Sequence, residues 1–268
     1  MQKQFFSPKR ELTPIQGAHG FWTRTNIRKV EGGAFSGKIW KTVSPPFHEG
    51  TAGKLVNAVN EYQQELKKAG VAVEEAKVIT TGNGHRTIHF VQTELPAQQL
   101  AHTIVRNADV EQVRMLFRHF LELDRRIRMH NDTASPRLDL DFKPSNYAIT
   151  ADGPVMFDFF PPNINRMRIP LPLSAIHIKM RLFIKNNVRT RLFSSKAKGL
   201  VEITGHFAVR RPSLIPLFFE EARSYSDREG IMTALDERLF KIMQSVFSLL
   251  FRNNRLMNGQ FASSFLKN

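Results

Sequence analysis

Cysteine is absent from these 268 residues. That excludes disulfides, thiolate metal sites and a cysteine nucleophile, and it suits a cytoplasmic protein. No apolar run is long enough to span a membrane. The first residues, Met1-Gln2-Lys3-Gln4-Phe5-Phe6-Ser7-Pro8, lack the apolar core of a signal peptide. No H-x-x-x-H pair falls on a plausible helix, which argues against zinc, and no G-x-S-x-G elbow is present. Acid is scarce: 24 Asp and Glu stand against 39 Lys and Arg, a formal net charge of +15. The imbalance is greatest from Arg166 to Arg211, where Glu202 is the only acid. Such an excess concentrates anions, whether nucleotides, nucleic acid or acidic partners. A solvated basic surface is the plainer explanation.

The length allows one large domain or a two-lobed one. The first part reads as β-rich. Ile15-Gln16-Gly17-Ala18-His19-Gly20-Phe21 supplies a glycine turn, and Phe21 to Val30 reads as a strand. Phe35 to Val43 follows as another strand, with Phe35, Ile39, Lys41 and Val43 on one face, and Pro45-Pro46 ends it. A lysine on an apolar strand face requires an anion. Residues 53–68 have helical spacing at Leu55, Val59, Tyr62 and Leu66, ending at Gly70. Glu61 and Glu65 flank that stripe, and either could meet Lys41. Val71–Thr80 and His85–Thr93 are expected as two more strands. The pattern changes at Glu94-Leu95-Pro96, which places a boundary between an N-terminal part, 1–94, and a helical part, 95–268. In the latter, helices are expected over 97–106, 110–129 (capped by Asp109), 173–193, 213–224 and 231–251.

The densest chemistry lies in Asp141-Phe142-Lys143-Pro144-Ser145-Asn146 and Val155-Met156-Phe157-Asp158-Phe159. Between them, Asp152-Gly153 separates two strand-like runs, a strong hairpin signal. A hairpin brings its two ends together, so Asp141 and Asn146 are expected beside Asp158. Three oxygen-bearing side chains gathered there suit a divalent ion and an acceptor hydroxyl. Loop capping is the bland alternative for Asp141 and Asn146, and a snorkelling strand lysine for Lys41.

Taken in order, these features resemble the protein-kinase-like phosphotransferase superfamily over roughly residues 12–160. The resemblance implies an α+β, two-lobed protein-kinase-like fold, with an N-terminal antiparallel sheet and one helix, then a mostly helical lobe. It implies ATP and Mg²⁺ as cofactors. Asn146 and Asp158 would be the metal ligands, Asp141 would orient or deprotonate the attacking hydroxyl, and Lys143 would neutralise the transferring phosphoryl group. Lys41, held by Glu61 or Glu65, would pair with ATP phosphates, and Gly17 to Gly20 would cover them. Ile39 would line the adenine pocket, with backbone near Glu94 on the adenine edge. Asp139 stands where many relatives carry histidine, Phe159-Phe160 replaces the usual Phe-Gly, and no Ala-Pro-Glu segment follows. These departures favour a small-molecule hydroxyl acceptor, anionic if the basic region binds it, as in the branch resembling aminoglycoside and choline kinases. Lys143-Pro144 points instead toward a peptide-directed Ser/Thr kinase. A catalytically inactive kinase-fold module that binds nucleic acid through its basic half is the third alternative.

Overall fold

The computed structural model describes residues 12–19, 26–135, 137–158 and 196–252. The fold is α+β. Strands β1 (Leu12–His19), β2 (Asn26–Val30), β3 (Lys38–His48), β5 (Lys77–Thr81) and β6 (His85–Thr93) form an antiparallel sheet in the order β1-β2-β3-β6-β5. Alternation along β3 separates two environments. Val43, with Ile88 and Phe90 from β6, enters the main core, and the same face carries Lys41. Trp40 points the other way, into a small cluster with Val30 and Val91. Phe35 joins that second cluster, its ring 6.1 Å from Trp40, because a short 3-10 turn at Gly33–Phe35 takes it out of the strand's alternation. It therefore lies apart from the Lys41 face expected for it. Nor do Pro45 and Pro46 end the strand. Pairing resumes at Phe47↔Arg86 after an irregular register between Val43 and Phe47. The prolines occupy that irregularity, where ladder donors are not required.

Helix α1 (Glu49–Lys68) begins four residues before the expected start and buries Leu55, Val59, Tyr62 and Leu66. The run from Val71 to Thr80 is two elements rather than one. Strand β4 (Ala72–Val73) leaves the large sheet and pairs parallel with β8 (Gly153–Met156), which pairs antiparallel with β7 (Tyr147–Thr150). One continuous strand would bury one of the adjacent acids Glu74 and Glu75. The split leaves Glu75 exposed beside Lys67, at 2.6 Å.

After Thr93 the described chain is mostly helical: α2 (Ala101–Asn107), α3 (Val110–Thr133), α4 (Lys198–Arg210), α5 (Ile215–Glu229) and α6 (Ala234–Arg252). Asp109 caps α3 through Gln112 N at 2.8 Å, and the Gln112 side chain reaches back to Asp109 N. This reciprocal box fixes the start of the helix. Val113, Leu116, Phe117, Phe120, Leu121 and Ile127 of α3 are buried as expected. Phe117 and Phe120 meet Phe207 of α4 edge-on, with ring centroids 5.1 and 5.2 Å away. Phe120 also meets Tyr147 of β7 at 4.8 Å. One continuous core runs from Val43 through these rings to Phe247. Helix α6 buries Phe240 and Phe247 but exposes Leu235, Ile242 and Leu249. Among the described residues, no helix is long and apolar enough to cross a membrane. The helix expected at 173–193 lies outside the described residues, as does most of the basic stretch.

Candidate functional site

The β7–β8 hairpin decides the geometry of the central motif. Its register runs from Tyr147↔Met156 to Thr150↔Gly153, so Ala151 and Asp152 make a two-residue loop. Gly153 takes φ +110°, a conformation costly for any residue with a Cβ. The open end of the hairpin then brings Phe157 N and Asp158 N to the Asn146 carbonyl, at 3.0 and 3.4 Å. A 3-10 turn over Pro144–Asn146 closes the preceding loop, with Asn146 N donating to Lys143 O at 2.8 Å. Proline at its first position supplies the turn dihedral. The Asp141 carboxylate accepts from Lys143 N at 3.2 Å and from the Asn146 side chain. Burial pushes the Asp141 carboxyl above its ordinary value, against the Lys143 charge and the Asn146 hydrogen bond that lower it, while Asp158 raises it further. Asp141, Asn146 and Asp158 thus share one electrostatic site.

Lys41 reaches this site from the sheet. Its Nζ lies 3.7 Å from Asp158 Oδ1, 3.4 Å from the Phe157 carbonyl and 5.2 Å from the centre of the Phe157 ring. The lysine side chain is only 11% exposed and Asp158 46%, so a mostly buried cation meets a carboxylate open to solvent. Gln92 of β6 completes the contact, donating Nε2 to Phe157 O at 2.8 Å. No motif pointed to Gln92. It shares the inward face of β6 with Ile88 and Phe90, so the reasoning that singles out Lys41 also finds it.

The loop before Asp141 is anchored on three sides. Tyr62 of α1, fully buried, donates its hydroxyl to the Asp139 carbonyl at 2.8 Å. Burial, with Asp139 and Asp141 nearby, drives that phenol's pKa strongly up, so it remains a donor. Asn131 of α3 brackets Leu138, accepting from its N–H at 2.7 Å and donating to its carbonyl at 2.8 Å. Lys198, the first residue of α4, holds the Asp139 carboxylate at 2.7 Å. Asp139 is therefore an anchoring point tied to α4.

The other candidates sit differently. Glu61 is exposed and makes no ion pair among the described residues, whereas Glu65 is buried and lies 2.6 Å from Lys68 and 3.6 Å from His130. The phase of α1 explains both: the turn that buries Tyr62 leaves Glu61 on the outer side and gives Glu65 other partners. The carboxylate facing Lys41 is Asp158. Ile39 is half-buried opposite Gln92, on the Lys41 face. Glu94 directly follows β6 and pairs with Lys29 at 2.6 Å, latching the strand end to β2. Gly17 lies within β1, where the register shifts between Pro14 and His19, and Gly20 is outside the described residues.

The backbone contact between Asp158 and Asn146 brings together two residues whose carboxylate and amide oxygens suit Mg²⁺, which takes few protein ligands and completes its shell with water and phosphate oxygens. Asp158 has the exposure this requires. No curated protein matches the chain. A family model covers residues 26–246, which include every described site residue above except Gly17. By that match the chain belongs to DUF6206, a family of unknown function.

Proposed function

We propose that this protein is an ATP- and Mg²⁺-dependent phosphotransferase of protein-kinase-like fold, acting on the hydroxyl group of a small molecule. The observation that carries this reading is the meeting of Lys41 from the sheet with Asp158, beside Asn146 and Asp141. A structural ion pair needs one carboxylate, whereas this site also gathers Asn146, Asp141 and Lys143 from a separate segment. The order strand lysine, helix, loop with Asp141 and Asn146, hairpin, Asp158 supports the same assignment.

In this reading Lys41 binds nucleotide phosphate, and Gln92 holds Phe157 so that Asp158 keeps its position. Asn146 and Asp158 would hold Mg²⁺ through oxygen, and the ion would neutralise charge on the phosphates. Bound Mg-ATP supplies the γ-phosphoryl group and leaves as Mg-ADP. Asp141 takes the proton of the acceptor hydroxyl as its oxygen bonds to phosphorus and the bridging P–O bond breaks. Its raised pKa makes it a stronger proton acceptor than an ordinary carboxylate. Lys143 screens the charge of the transferring group.

The test is a thermal-shift titration with ATP, with and without Mg²⁺, followed by a metabolite-extract screen for ATP-dependent gain of one phosphate. The expected result is Mg²⁺-dependent stabilisation by ATP, lost in Asp158→Ala, and turnover lost in Asp141→Asn with ATP binding kept. No stabilisation by Mg-ATP, or full turnover in Asp141→Asn, refutes the assignment.

A further inference from the structure

Beside Asp141 lies a group of basic side chains that the proposed transfer does not use. Helix α2 packs on the Pro144–Asn146 turn and on β7, and also contacts α4. Its His102 and Arg106 are four residues apart, hence neighbours on one helix face. The Nδ1 atom of His102 is sealed from solvent and has no hydrogen-bond partner among the described residues. Arg210, the last residue of α4, is half-buried; Nη1 donates to the carbonyl of His206 in its own helix at 3.1 Å. Among the described residues no carboxylate lies within ion-pair distance of Arg106 or Arg210.

These cations are held together. Arg211 donates Nη1 to the carbonyls of Val105 and Ala108, at 3.2 and 2.5 Å, fastening the end of α4 to the end of α2. Arg106 and Arg210 are thereby brought near one another, and both charges bear on the His102 ring. Burial and the Arg106 charge lower the pKa of Arg210 to about 10, and the acid that opposes this is Asp141. A half-buried arginine such as Arg210, with a like charge near it, costs free energy unless an anion answers it. Little in the chain can do so. Glu11 is the only Asp or Glu in 1–11, 20–25, 159–195 and 253–268.

We propose that His102, Arg106 and Arg210 form an oxyanion subsite that receives a phosphate or carboxylate group of the acceptor molecule and so directs its hydroxyl to Asp141. This rests on the phosphotransferase reading and narrows it to a hydroxyl-bearing acid. The α2–α4 clamp fixes the subsite in advance, and the packing of α2 on the Pro144–Asn146 turn places it beside the loop that carries Asp141. Arginine suits the role, since its planar fork matches both phosphate and carboxylate.

Inorganic phosphate and malonate, titrated separately at constant ionic strength and followed by thermal shift and calorimetry, test this in the full chain. Arg106→Gln is the main variant, because the Arg106 side chain is exposed and its loss leaves the core intact. Arg210→Gln is the second. The expected result is that Arg106→Gln weakens binding of at least one anion about tenfold or more, with Mg-ATP binding unchanged, while Lys41→Met leaves that anion's affinity unaltered. Equal anion affinity in wild type and Arg106→Gln overturns the subsite, as does anion binding that Lys41→Met abolishes. Arg106-dependent anion binding in a protein that fails to bind Mg-ATP refutes the phosphotransferase reading alone and leaves the subsite standing.

Discussion

Replacing Gly199 with alanine is expected to destabilise the protein by about 2–4 kcal/mol. A Cβ built there lies 1.9 Å from Asp124 Oδ1, 2.9 Å from Asp124 Cγ and 3.1 Å from Phe142 Cε2. Favourable carbon contacts begin near about 3.5 Å, so the methyl overlaps a carboxylate by more than an ångström. Neither neighbour is free to give way. Phe142 is a core residue three positions beyond Asp139, the nearer of the two residues anchored by Asn131 and Tyr62, and Asp124 is 3% exposed with Oδ2 3.0 Å from Arg128 Nε. Overpacking that the surroundings absorb costs about 1–3 kcal/mol. If Asp124 swings aside instead, Arg128 loses its nearest carboxylate, and breaking a buried pair costs about 3–5 kcal/mol. Glu229, at 3.7 Å, and the Tyr225 hydroxyl, at 2.9 Å, compensate part of that. Urea unfolding of wild type, Gly199→Ala, Asp124→Ser and the double variant reads the effect. Because the clash is with Asp124, the shorter serine should relieve it, with a coupling of about 1 kcal/mol or more. A change within about 0.5 kcal/mol for Gly199→Ala, or strict additivity, refutes the close approach. Gly199 follows Lys198, so the same variant should also loosen the Lys198–Asp139 contact at the site.

Three other outcomes follow from the geometry. Tyr62→Phe leaves the half-buried Asp139 carbonyl without its donor, which should cost about 1 kcal/mol in urea unfolding and, in the proposed enzyme, lower kcat more than the affinity for Mg-ATP. His89 accepts at Nδ1 from Trp40 Nε1 at 3.0 Å, so its proton sits on Nε2 beside Thr81 Oγ1 at 2.9 Å, and burial lowers its pKa from 6.5. Its neutral form favours folding above pH 6.5, and that contribution is lost as pH falls from there toward the lower folded value; the drop in Tm between pH 7.5 and 5.5 should therefore shrink in His89→Gln, and an unchanged drop counts against the network. Third, Lys143 pulls the Asp141 pKa down, so Lys143→Ala should move the acidic limb of the kcat/KM profile to higher pH, whereas a limb that stays or moves down removes Asp141 as the proton acceptor.

The α+β composition, the hairpin between Asn146 and Asp158, the long α3 and its Asp109 cap were legible in the sequence, because each depends on contacts between near neighbours. Turn chemistry, capping and apolar periodicity act over a few residues. Lys41 was legible for a related reason: a cation on an inward strand face implies an anion, whatever supplies it. Which residue supplies it was not. Choosing between Glu61, Glu65 and Asp158 depends on the rotation of α1 against the sheet, and the burial of Tyr62 sets that rotation. Likewise Val71–Thr80 carried the composition of one strand, while pairing of β4 with β8, far along the chain, made it two. Gln92, Asn131 and Lys198 reach the central loop across many residues of chain, and Arg106 comes near Arg210 because Arg211 ties α4 to α2. Local sequence thus determined the elements and the presence of unpaired charge. The tertiary structure decided which charges meet, because long-range packing sets helix phase and strand partnership together.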